Sequence, residues 1–177
     1  AGGGISDITA NAIQVIPSRK NNYYFIHITD AHTPNRLYYP NAGFDTDSTA
    51  VDDFRAVMED INIIHPEFVL FTGDLVNEGE LEGFANQYWY GWIQKLLTEF
   101  DVPVYVTSGN HDIGGWNQTP SPAGSARKNW WKYFGWSWLD NEDPLFPYHT
   151  QDYYFTYNNT VFIGLESYDN YDYWRSR

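Results

Sequence analysis

Three short apolar, β-branched runs, "YYFIHIT" (23–29), "FVLFTG" (68–73) and "VPVYVTSG" (102–109), alternate with two stretches of helical spacing. Continuous apolar runs of this length suit strands buried on both faces. Between the first two, Val51, Phe54, Met58 and Ile61 follow a 3, 4, 3 spacing. Ser48 or Thr49 is a fitting cap, and Asp52 and Asp53 lie in the first turn, as the positive end of a helix favours. Between the second and third runs, Leu81, Phe84, Tyr88, Trp92 and Leu96 form a second apolar stripe. Strand, helix, strand, helix, strand predicts parallel strands joined by right-handed crossovers, hence a layered α/β domain.

Outside that unit the periodicity changes. "YYFTYNN" and "TVFIGLES", at 153–157 and 160–167 around an Asn-rich turn, read as a β-hairpin. Residues 113–152 are rich in Gly, Pro, Trp and Asn and read as an irregular insertion. The segment 1–20, with its glycine cluster and "NAIQVI", reads as the end of a preceding β domain or a linker strand, or as an edge strand of the main domain, which occupies 21–177.

Composition narrows the chemistry. No cysteine is present, which excludes thiolate catalysis, disulfides and cysteine-ligated zinc. The formal charge of −13 opposes a phosphate backbone, so no direct nucleic-acid binding is expected. Carboxylate oxygens suit hard divalent cations, although a solvated acidic surface accounts for much of the charge. No apolar stretch approaches the roughly 18 residues of a membrane span.

Three polar clusters follow the three strands: "DAH" (30–32), "GDLV" (73–76) and "GNHD" (109–112). In open α/β sheets ligands bind beyond the carboxyl ends of the strands, so these clusters converge on one crevice. Each cluster alone is an ordinary polar turn; their order and strand context point to a site. Asp30 and His32 flank one residue and in an extended segment can grip one ion through oxygen and nitrogen. Asp74 has two oxygens, enough to bridge ions about 3.5–4 Å apart. Asn110 adds a neutral oxygen for the second ion. His111 is placed to donate a proton or hydrogen bond to a substrate oxygen, with Asp112 able to set its tautomer.

"DAH…GDLV…GNHD" resembles the signature of the calcineurin-like metallophosphoesterase family, and "YYFTYNNTVFIGLES" is similar to the hairpin that follows it there, with Glu166 where the family usually has Asp. The resemblance covers roughly residues 23–170. It implies a layered phosphoesterase sandwich, of which this chain would hold the first βαβαβ half plus the hairpin. It also implies two divalent metal ions (Mn, Zn, Fe or Mg), with Asp30 and His32 on the first, Asp74 bridging and Asn110 on the second. His111 and Asp112 take the catalytic roles. The implied reaction is hydrolysis of a phosphomonoester or phosphodiester through a metal-bound hydroxide, without a covalent intermediate.

The family signature continues with a lone His and a Gly-His-x-His block, which this sequence lacks. The chain is therefore expected to be a fragment that holds at most one ion well, is inactive alone and is completed by a C-terminal segment of the same domain. Asn77 stands where purple acid phosphatases carry a metal-binding Tyr. Among the other histidines, His27 is expected near the core or the site and His65 and His149 on the surface. Of Trp116, Trp130, Trp131, Trp136 and Trp138, most are expected to pack the insertion onto the body rather than form a ligand wall. An extracytoplasmic bacterial or archaeal setting is expected from the absent cysteine and the abundant Asn, Tyr and Trp. The alternative to an enzyme is a metal-stabilised binding module with an aromatic surface.

Overall fold

The computed structural model describes residues 14–33, 49–76, 84–113, 130, 133–134 and 153–165. Its elements run β1 (Ile26–Ile28), α1 (Thr49–Ile64), β2 (Val69–Thr72), α2 (Phe84–Leu97), β3 (Val104–Thr107), a one-turn α3 (Asn110–Ile113), β4 (Tyr153–Tyr157) and β5 (Thr160–Gly164). The first three strands form one parallel sheet in the order β1-β2-β3, in register at Ile26, Val69 and Val104. A sheet that advances in one direction puts both crossover helices on the same face. The core agrees with this: Phe54, Met58 and Ile61 of α1, Val69 and Phe71 of β2, and Tyr90, Ile93 and Leu96 of α2 form one buried cluster.

The α1 stripe is the one expected from spacing. In α2 the buried line runs through Tyr90, Ile93 and Leu96, while Trp92 is only half-buried. That helix is apolar over most of its circumference, "FANQYWYGWIQKLL", so two stripes share the 3.6-residue period and spacing alone does not choose between them. The side chains of Leu81, Phe84 and Tyr88 lie outside the described residues. The helices are tied by Arg55 Nε, 3.2 Å from Glu99 Oε2, and by Asn62, which donates to the Glu99 carbonyl and accepts from Asp101 N.

The opposite sheet face carries the hairpin. β4 and β5 pair antiparallel around a two-residue turn, Tyr157 opposite Thr160, with Asn158 at φ 52° as such tight turns require. Phe155 stacks on Tyr105 with centroids 3.7 Å apart, and Phe68 meets both Phe155 and Phe162 edge-on at 5.3 and 5.1 Å. The outward hairpin residues Tyr154, Val161, Ile163 and Leu165 are exposed. Helix layer, parallel sheet and hairpin give the layered α/β arrangement expected from the sequence.

Several expectations are corrected or bounded here. His27 is exposed on the hairpin side of the sheet, its Nε2 2.5 Å from Thr72 Oγ1, and so is not a core residue; neighbouring residues of a strand face opposite ways, and Ile26 and Ile28 take the core side. Residues 14–25 are without strand, and 1–13 lie outside the described residues, as do His149, Asn77, Glu166 and the tryptophans other than Trp130 in the 113–152 stretch. Trp130 is buried and packs on Tyr90 and Phe134.

Candidate metal centre

Beyond the ends of β1 and β2 the two chains stay bonded. Asp30 N donates to Gly73 O (3.1 Å), His32 N to Asp74 O (2.9 Å) and Thr33 N to Leu75 O (3.0 Å). Thr33, fully buried, adds its hydroxyl to the Leu75 carbonyl at 2.7 Å and bridges Val76. These bonds carry the first cluster alongside the second. The backbone there is left-handed at Asp30 (φ 57°), His32 (φ 46°), Gly73 (φ 89°) and Asp74 (φ 51°). A Cβ is crowded in that region, which Asp and His tolerate better than most residues. Such strain persists where surroundings over-determine it, often at functional sites.

The third cluster arrives on α3. The His111 N–H donates to Asp74 Oδ1 at 2.8 Å. Gly73 and Gly109 face one another so closely that a Cβ on Gly73 would lie 2.8 Å from the Gly109 Cα. This approach of two backbones requires glycine at both positions.

The side chains that meet are His32, Asp74 and His111, whose ligand-capable atoms all lie within 4.8 Å of one another. The His32 and His111 rings sit edge to face, centroids 4.5 Å apart. His32 Nε2 is 3.6 Å from Asp30 Oδ1 and 3.7 Å from Asp74 Oδ2. Those separations exceed hydrogen-bond length. They approach the roughly 3.4 Å edge of a ligand tetrahedron around an ion at about 2.0–2.1 Å. Mixed nitrogen and carboxylate donors fit a divalent transition metal. Asp30 is more exposed than Asp74, and the Thr29 hydroxyl approaches its Oδ2 at 2.6 Å. Asn110 begins α3 beside them, half-buried.

Asp112 has a structural part in the site. Its Oδ2 accepts from Gly109 N (2.8 Å) and its Oδ1 from Val76 N (3.1 Å), and the residue is fully buried. Both oxygens accept from backbone N–H groups, so it ties the third turn to the second. Burial pushes its carboxyl up to about 8, against the Gly109 and Val76 N–H groups that favour its charge, and the Asp74 carboxylate adds to the rise. Sequence reasoning missed two supports, Thr33 and Tyr90, whose hydroxyl donates to the Asp112 carbonyl. Nothing in the helical spacing singles Tyr90 out from Tyr88.

The calcineurin-like phosphoesterase family model matches residues 23–176. A probable cyclic nucleotide phosphodiesterase of Moraxella catarrhalis is 27% identical over 100 residues, 55% of this chain and 31% of that protein. The DNA double-strand break repair protein Mre11 of Methanococcus maripaludis is 29% identical over 104 residues, covering 59% and 27%. This chain therefore matches under a third of the length of these curated relatives. Among solved structures, a purple acid phosphatase from yellow lupin (Lupinus luteus) seeds aligns with TM-score 0.48 and 12% identity over 84% of this chain and 26% of that one.

Proposed function

The chain belongs to the calcineurin-like phosphoesterase family, and from that premise we propose that the protein carrying it hydrolyses phosphate esters using divalent metal ions held at the ends of β1, β2 and β3. The observation that carries the reading is the convergence of His32, Asp74 and His111 from three separate turns within 4.8 Å. Asp30, His32 and Asp74 would hold the first ion, with Asp74 shared towards a second that Asn110 meets. Bound divalent ions supply Lewis acidity at the phosphoryl oxygens and a nucleophile at neutral pH. The chain's own work is to aim the reacting groups. The His111 imidazole, held through its backbone bond to Asp74, faces the phosphoryl group to donate a hydrogen bond and protonate the leaving oxygen. Asp112 keeps that turn in place from below.

The chemistry of the substrate follows from charge and likeness. A formal charge of −13 opposes a polyanion, which favours compact esters over nucleic acid. The phosphodiesterase among the relatives makes a small diester the first substrate to try. The test is hydrolysis of bis(p-nitrophenyl) phosphate and p-nitrophenyl phosphate by the complete protein that carries this sequence, with Mn²⁺ and after chelation. Turnover that appears with the metal and vanishes with the chelator is expected; metal-independent rates, or none with either ester, would refute the reading.

A further inference from the structure

We propose that Tyr90 is a positioning residue for this site, clamping the turn that carries His111 from the core face of α2; the inference rests on the phosphoesterase reading for its purpose but not for its geometry. A helix of one turn leaves its carbonyls without partners of its own. The Asp112 carbonyl belongs to a fully buried residue, where an unpaired carbonyl is costly. The Tyr90 hydroxyl, reaching across from α2, donates to it.

Three further bonds pass that restraint to the site. The Asp112 carboxylate holds Gly109 N and Val76 N, the residues that flank His111 on one turn and Asp74 on the other. His111 N in turn donates to Asp74 Oδ1. The Tyr90 ring is itself fixed: it is fully buried, with Trp130, Tyr133 and Phe134 at 5.8, 5.9 and 6.1 Å. Its hydroxyl contacts the turn that carries His111, which makes it a support for the geometry of the site.

The experiment compares Tyr90→Phe with Ile93→Val, a change in the same buried line of α2 that removes no polar contact. In the metal-free form of the complete protein that carries this sequence, amide hydrogen exchange at Val76, Gly109 and His111 is read by NMR relative to Phe71 and Val106 in the same sample. Tyr90→Phe is expected to raise that ratio about tenfold, and Ile93→Val to leave it unchanged. Mn²⁺ affinity, measured by calorimetry, is expected to fall about tenfold in Tyr90→Phe only. Tyr90→4-aminophenylalanine, which restores a donor, is expected to return both quantities to near the original values. Equal exchange ratios in the Phe and Val variants, or no recovery with the restored donor, would overturn the inference. If the unaltered complete protein binds no Mn²⁺, the phosphoesterase reading suffers while the exchange ratios still judge Tyr90.

Discussion

The backbone N–H of His111 donates to Oδ1 of Asp74 at 2.8 Å across 37 residues of sequence. One carboxylate oxygen thereby sets the height of the third turn relative to the second, while the other is left 3.7 Å from His32 Nε2. The pair divides Asp74 between holding the scaffold and facing an ion.

That division separates the two residues by mutation. Asp74→Ala is expected to abolish Mn²⁺ binding, because it removes the shared carboxylate. His111→Ala should retain bound metal but lower kcat in the complete protein by roughly 10²–10⁴-fold, the range for losing a positioned proton donor. Metal analysis and turnover on the same samples check this. Loss of metal from His111→Ala would make the imidazole a ligand instead.

Gly109 allows no side chain. A Cβ there would stand 2.2 Å from Asp74 Oδ1 and 2.5 Å from Asp74 N. Gly109→Ala is expected to displace the carboxylate, cost about 1–3 kcal/mol of stability as overpacking does, and weaken Mn²⁺ binding. Urea unfolding and calorimetry test it, and a variant with unaltered affinity would contradict the packing described.

The hairpin hangs on Phe68, which is 1% exposed and ringed by Tyr105, Phe155, Tyr157 and Phe162. Phe68→Ala is expected to cost about 3–5 kcal/mol and to release β4 and β5 from the sheet. Near-ultraviolet circular dichroism should lose the aromatic signal of the cluster. A cost under about 1 kcal/mol would mean that the hairpin is held elsewhere.

A pH dependence follows from Glu67. Its side chain pairs with Lys20 Nζ and accepts from Tyr157 Oη at 2.6 Å, joining the segment before β1, the start of β2 and the hairpin. The Lys20 hydrogen bond first, then the Tyr157 bond, hold its carboxyl below the ordinary 4.5, while Glu67 raises Lys20 above 10.5. A depressed carboxyl stabilises the fold above its unfolded value, and that stabilisation is lost as pH falls through the lower folded value. A raised amine stabilises below its unfolded value and loses that effect as pH rises through the higher folded one. Urea midpoints should therefore fall on the acid side of 4.5 and on the alkaline side of 10.5. Glu67→Gln is expected to flatten the part of both limbs due to this pair; an unchanged acid limb would remove Glu67 as a contributor.

What the sequence determined by itself was local. The period of two or of 3.6 is a property of residues a few positions apart, so the strand and helix order, the hairpin and the α1 stripe of Phe54, Met58 and Ile61 were all legible. The strand-end positions of Asp30, His32, Asp74 and His111 followed from that order, since parallel strands present their carboxyl ends together. Tertiary structure decided which way things face. Tyr90 is buried against Trp130 and Phe134 with its hydroxyl on the Asp112 carbonyl, 22 residues away, and His27 is turned out because its strand neighbours fill the core. Asp112 points inward because two backbone N–H groups from different turns meet there. Orientation of this kind depends on partners distant in sequence, and no pattern within a single segment records it.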